Sequence, residues 1–307
     1  MKPGRVLIFS FVAMGMIVCG FATLHAQSAA PADWKKVEDA MGRSGQAQPD
    51  GAYKFSLPRR DMNITVAGTQ VKAGLALGSW VAFKAAFQAA FKGSGSDAMV
   101  MGDLVLAESE VEPVMLKLQE GGIQITALHN HVLNESPRVM YMHISGHGDA
   151  AKLATSVHDA IALTKTPAAI PPAEPPKLDI DTAQVDQILG RQGKNNGGVY
   201  QFSVPRSEEI REGGMTIPAS MGVATAINFQ PTGGGKAAIT GDFVLLGSEV
   251  NPVIAALRAN GIEVTAVHSH MLMEEPRLFF MHFWANDDAV KLARGLRAAL
   301  DKTNSKK

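Results

Sequence analysis

Cysteine is almost absent from this chain. The one cysteine in 307 residues is Cys19, and it lies inside the apolar opening segment. Without that segment the chain has no thiol for a disulfide or for nucleophilic chemistry. An excess of charge of either sign is also missing. Lys plus Arg number 29 and Asp plus Glu number 29, so nothing electrostatic recommends nucleic acid or an anionic membrane surface as a partner. Familiar nucleophile and phosphate motifs are missing as well. There is no Gly-x-Ser-x-Gly, and "GGGK" from Gly233 lacks the Ser/Thr of a phosphate loop. What the chain does have is apolar material: 46% hydrophobic against 19% charged residues, ample for a packed core.

The one long apolar run sits at the start. Lys2 and Arg5 precede Val6 to about Leu24, and small residues follow at Ala26, Ala29 and Ala30. This order is that of an export signal, read here as residues 1–26. The expected mature protein is periplasmic or secreted, with no transmembrane span. A lipid anchor on Cys19 is disfavoured, because Val18 stands where such a site needs a small residue.

The rest of the chain is written twice. "GDLVLAESEVEPVMLKLQEGGIQITALHNHVLNESPRVMYMH" from Gly102 aligns without a gap to "GDFVLLGSEVNPVIAALRANGIEVTAVHSHMLMEEPRLFFMH" from Gly241. Roughly half of the positions are identical, far above chance for one chain compared with itself. Upstream, "YKFSLPR" from Tyr53 answers "YQFSVPR" from Tyr200. The stretch 166–178 is rich in Pro and Ala and reads as an extended linker. Two repeat domains are therefore expected, over 33–165 and 179–303.

Each repeat opens on a short helix, from Asp33 or Asp181, that stops at a glycine. Strands follow, then a helix expected to start near Pro113 or Pro252, with Ser109 and Ser248 as capping residues. Two more strands and a last helix from Asp149 or Asp288 complete it. "WVAFKAAFQAAFKG" from Trp80 looks helical by its phenylalanine spacing, but its counterpart from Gly222 reads as a strand. Because two copies share a fold, a strand is expected in both. The fold class is thus α+β: an antiparallel sheet in each repeat, with helices packed on one face in the ferredoxin-like style.

The repeated signature "GD-VL--SEV-PV---L---GI--TA-H-H-L-E-PR---MH" resembles the LppY/LpqO lipoprotein-like family of unknown function. The resemblance covers both repeats. It implies an exported bacterial protein and carries no activity with it.

The shared polar residues are the candidates for function. Three histidines and a glutamate recur: His129, His131, His143 and Glu135, then His268, His270, His282 and Glu274. Strand alternation puts Ile123, Ile125, Ala127, His129 and His131 on one face. The hairpin register then decides the third histidine. A turn centred on Ser136 sets His129 opposite His143, whereas a slip of one residue turns His143 away. Three nitrogens and a carboxylate would suit a divalent Zn, Mn, Fe or Cu ion in each repeat. The spacing His-x-His-x-x-x-Glu is similar to the first cupin motif, but cupins are all-β barrels and here a helix precedes the strand. The other reading is that these groups hydrogen-bond one another and clasp the hairpin.

Arg138 and Arg277 could clamp an anionic ligand, or pair with the neighbouring glutamate. Asp103 and Asp242 interrupt an apolar strand and could bind ligand or support a histidine. Glu110 and Glu249 suit a helix start. The expected function is an exported envelope protein that binds a small ligand or a divalent metal through a cluster in each repeat. A metal-dependent hydrolase or oxidase, and a structural or interaction scaffold, are the alternatives.

Overall fold

The computed structural model describes residues 1, 33–86, 96–170 and 174–306. All of the segment read as an export signal except Met1, Cys19 included, lies outside the described residues.

The first copy runs α1 (Trp34–Met41), β1 (Gln46–Ala47), β2 (Tyr53–Pro58), β3 (Thr65–Val66), β4 (Thr69–Gln70) and α2 (Ala73–Ala76). It continues β5 (Gly78–Ala85), β6 (Asp97–Ala107), α3 (Glu108–Glu120), β7 (Gln124–His129), β8 (Glu135–Ser136), β9 (Val139–Asp149) and α4 (Ala150–Ile161). The second copy opens α5 (Thr182–Leu189), β10 (Lys194–Asn196), β11 (Val199–Pro205), β12 (Arg211–Glu212) and β13 (Met215–Thr216). After a 3-10 turn at Ala219–Met221 come β14 (Ala224–Gly233), β15 (Lys236–Leu246), α6 (Gly247–Ala259), β16 (Glu263–His268), β17 (Leu278–Asp288) and α7 (Ala289–Leu300).

Both copies are α+β, each with one six-stranded antiparallel sheet. The orders are β1-β2-β5-β6-β9-β7 and β10-β11-β14-β15-β17-β16. Within them β6, β7 and β9, with α3 and α4, make the strand-helix-strand-strand-helix core of the ferredoxin-like style. The segment from Trp80 is strand through Ala85, as its counterpart demanded; 87–95 lie outside the described residues.

The helix caps follow local chemistry. Asp181 accepts from the Gln184 amide at 2.9 Å, and Gly190 ends α5 at φ 73, a conformation that costs glycine nothing. The helix that follows the long strand β6 or β15, α3 in one repeat and α6 in the other, corrects the expectation. It begins at Glu108 and Gly247, upstream of the prolines. Ser109 and Ser248 do not cap it. Instead Glu110 and Glu249 reach back to the Ala107 and Leu246 amides at 2.9 and 2.8 Å, satisfying donors that a helix start leaves open.

Alternation along the strands makes two faces. Leu104, Leu106, Met142 and Ile144 point to the helices and join Val114, Leu118 and Val157 in the first helix-side core. The opposite face does not meet solvent. Ala82, Met99 and Met101 of the first sheet pack with Val244 and Phe280 of the second and with Met221 of the turn before β14. Val105, Val139 and Tyr141 pack with Ala238 and Trp284. The two sheets therefore lie face to face, with helices outside, and each covers the other's second apolar face. Side-chain bonds cross the join: Gln230 accepts from the Lys72 amide at 2.8 Å and donates to the Gln70 carbonyl at 2.7 Å.

A duplicated pair of buried ion knots braces the sheets. Arg59 is 1% exposed. It donates twice to Glu110, at 2.7 and 3.0 Å, and once to the Val105 carbonyl at 2.7 Å. Arg206 repeats this with Glu249 and the Val244 carbonyl. So the helix-start glutamates have a second task that their sequence position did not suggest.

Candidate functional site

The sheet register carries the histidines to the face between the copies. In β7 the pairing with β9 shifts between Ile125 and Ala127: Ile125 lies opposite Ile144, and Ala127 opposite His143. The extra residue at Thr126 turns the strand over. Ile125 therefore joins the helix-side core, while His129 faces the other sheet. This corrects the unbroken alternation expected for the strand, and β16 repeats the shift between Val264 and Ala266.

The hairpin register is neither of the two considered. His129 pairs with Tyr141, not with His143. It differs by two residues from the Ser136-centred register, so parity is kept and His143 still shares the face of His129.

A second correction is larger. The histidines do not form one site per repeat. All six meet in one cluster between the sheets. Ring centroids of His129 and His268 are 3.7 Å apart, His131 and His282 3.7 Å, and His143 and His270 3.6 Å. Within the copies, His129 to His131 is 5.0 Å and His268 to His270 is 4.8 Å. The matching distances define an approximate two-fold axis between His129 and His268. Tyr141 stacks on His131 at 3.3 Å, and Phe280 on His270 at 3.6 Å. The Thr265 hydroxyl donates to the His131 carbonyl across the join at 2.6 Å.

Two carboxylates flank the cluster. Asp103 lies across the ladder from His143 and Asp242 from His282. The Asp103 carboxylate is 3.8 Å from His143 Nε2. Asp242 is 3.4 Å from His270 Nε2 and 3.9 Å from His282 Nδ1. Gly102 and Gly241, which precede these aspartates, sit where neighbouring strands press close. A Cβ on Gly241 would lie 2.0 Å from the Ala226 carbonyl oxygen.

Eleven buried side-chain N and O atoms lack a hydrogen-bond partner among the described residues, and nine belong to this cluster. They are both ring nitrogens of His129, Nε2 of the other five histidines, and Oδ1 of Asp103 and Asp242. Unpaired buried polar atoms cost roughly 1–3 kcal/mol each. Among the described residues the Nε2 atoms of these rings do not hydrogen-bond one another, as a clasp of histidines would require. Nδ1 of His282 is held by the Gly241 carbonyl at 2.8 Å, which places the proton on Nδ1 and leaves Nε2 a lone pair.

Burial also sets the charge states. It lowers the pKa of all six histidines, with mutual repulsion among the rings as a further cause for most. His129 falls to about 2 and His268 to about 4. Burial raises Asp103 to about 7, opposed by Lys54, and pushes Asp242 well above the carboxylate range. Neutral imidazole is the form that ligates metal. Two overlapping sets have ligand atoms within 4.8 Å of one another: His129, His268, His270 and His282, and His129, His131 and His143.

The other sequence candidates lie elsewhere. Glu135 accepts from the Val139 amide at 3.0 Å and from Asn130 at 3.2 Å. Glu274 accepts from the Leu278 amide at 2.9 Å and from Arg277 at 3.1 Å. Both tie down the loop after the His-x-His strand and stand outside the two ligand sets. Arg138 is exposed, 3.9 Å from Glu108, and acts on Glu135 only through its charge. Arg277 holds Glu274, Ser269 and two loop carbonyls. Sequence reasoning missed Arg59 and Arg206, whose signal was the shared Pro-Arg after the first long strand. It also missed Tyr141 and Phe280 as ring partners.

A small cavity bordered by Trp80, Met101, Met221, Met271, His143 and His270 abuts the cluster, with room for about one water-sized occupant. No helix among the described residues is long and apolar enough to cross a membrane.

Fold and site together define a tandem α+β protein whose two halves close on a shared histidine cluster. The chain belongs to the family described as Domain of Unknown Function (DUF1259), whose model matches residues 35–163 and again 183–302. No curated protein matches the chain. Among solved structures it is similar to a trimeric bacterial microcompartment shell protein, PduB, at 11% identity and TM-score 0.21, covering 84% of this chain and 89% of that one. It is also similar to EtuB from Clostridium kluyveri at 7% identity and TM-score 0.19, covering 84% and 88%. EutL from Leptotrichia buccalis matches at 8% identity and TM-score 0.19, covering 84% and 95%. Likenesses this weak carry no argument about function.

Proposed function

We propose that this chain is an exported protein that binds transition-metal ions at one buried site built by both repeats. The observation that carries the reading is the set of nine unpaired nitrogen and oxygen atoms from six histidines and two aspartates. Bound metal satisfies such atoms, and the two buried carboxylates offset its charge. A cluster of neutral imidazoles suits Zn, Cu, Ni or Fe better than Mg or Ca, which take oxygen ligands. The narrow neighbouring cavity favours an ion over a larger organic ligand. The charged start, apolar run and small-residue boundary at residues 1–30 support export.

Metal analysis tests this on purified, untagged full-length protein, first stripped by chelator and then reloaded with Zn(II). Stoichiometric zinc should be retained, and binding should stabilise the fold by about 4 kcal/mol at a thousandfold excess over Kd. Replacing His131 and His270 together by Ala should abolish retention. Glu135→Gln with Glu274→Gln should leave stoichiometry unchanged, because these residues hold the loop. Wild-type protein that retains no zinc and shows no thermal shift would remove the reading.

A further inference from the structure

The six histidines do not divide evenly between two ions. The four-histidine set and the three-histidine set both contain His129. One nitrogen lone pair serves one ion, so two filled sets require both nitrogens of that ring. His129 is the one cluster histidine with both ring nitrogens buried and unpaired among the described residues. Its pseudo-symmetric partner on the axis, His268, differs. There Nδ1 lies 3.4 Å from the Ser269 carbonyl, which leaves Nε2 as the free atom. The repeat symmetry is thus broken at the axis, in a way that singles out one ring.

The carboxylates divide to match. Asp103 stands beside His143, on the side of the three-histidine set. Asp242 stands beside His270 and His282, on the side of the four-histidine set. Each group of nitrogens therefore has one buried carboxyl group next to it, which a bound cation would hold ionised. Burial of two dications needs that compensation.

Building on the metal-binding reading, we infer that the cluster is a two-metal centre in which the His129 ring bridges the ions. His131 and His143 complete one side; His268, His270 and His282 complete the other. Binding of the second ion displaces the remaining ring proton of His129 to solvent, so the bridge is an imidazolate. Its negative charge adds to those of Asp103 and Asp242. The chemical class that fits is a pair of divalent ions with high affinity for nitrogen, Cu(II) or Zn(II).

The test uses chelator-stripped full-length protein titrated with Cu(II) alone. Bound copper is counted by native mass spectrometry, and spins are counted by electron paramagnetic resonance at liquid-helium temperature. Two ions per chain are expected, with most of the spin signal lost through coupling across the shared ring. His129→Ala, with its fold checked by circular dichroism, should bind one ion with a full, uncoupled signal. One ion in the wild-type chain overturns the bridge and leaves a single-ion site standing. Two ions with a full uncoupled signal also overturn the bridge. No bound copper overturns both the bridge and the site.

Discussion

Metal-free protein should lose stability steeply between pH 6 and pH 4. An unfolded histidine titrates near 6.5, and all six cluster histidines are depressed in the folded chain by burial. Above pH 6.5 both states are neutral at these rings and the fold loses nothing. Below it the unfolded chain takes up protons that the folded cluster refuses. Each such group removes about 1.4 kcal/mol per pH unit.

The aspartates act with the opposite sign. Asp103 is raised to about 7 and Asp242 well above its usual range, so below pH 7 the folded state binds their protons first and gains stability. Lys54, at about 8, is charged in both states here and contributes no slope. Within the cluster, six histidines against two aspartates leave four groups, or about 5 kcal/mol per pH unit, and His147, also lowered by burial, adds in the same direction. A domain has about 5–15 kcal/mol in hand, so unfolding should occur within a few pH units of neutrality. The assay is urea denaturation of chelator-treated protein at pH 7.5, 6.0, 5.0 and 4.5. Replacing His131 and His270 by Phe should flatten the slope by two groups' share. A midpoint unchanged from pH 7.5 to 5.0 would refute the argument, since the rings would then have to be hydrated or able to charge in place.

Two further predictions concern the scaffold. Arg59→Ala and Arg206→Ala each leave a buried glutamate without its partner and should cost about 3–5 kcal/mol in urea denaturation; a loss below about 1 kcal/mol would show that water replaces the guanidinium. Gly241→Ala should lower the melting temperature more than Gly102→Ala, because the added Cβ meets backbone oxygen at 2.0 Å in the first case and 2.9 Å in the second. Equal losses would mean that the β14–β15 pair relaxes freely.

Much of the architecture follows from local chemistry. Repetition of the chain implies two like domains. Asp181 and Gly190 mark both ends of a helix, and alternation marks the strands. The pairing of Tyr53 and Phe55 with their counterparts Tyr200 and Phe202 is visible by eye. The histidines stood out because both copies keep them while neighbours such as Asn130 and Ser269 differ.

What the sequence could not carry is everything that depends on a second strand or a second sheet. A bulge at Thr126 reverses the face of His129, and no residue type announces it, because the shift arises in the ladder with β9. Glu135 and Glu274 read as ligands beside histidine, yet the loop's own amides claim them. Arg59 reaches Glu110 across 51 residues, a distance that local pattern cannot bridge. Above all, the union of the two histidine sets is tertiary. Each repeat has two apolar sheet faces and helices enough for one. The second face must be buried against something, and here it is buried against the other copy. That burial turns two half-sets of imidazoles into one cluster and encloses their unpaired ring nitrogens; only then do the rings stay neutral and ready to ligate.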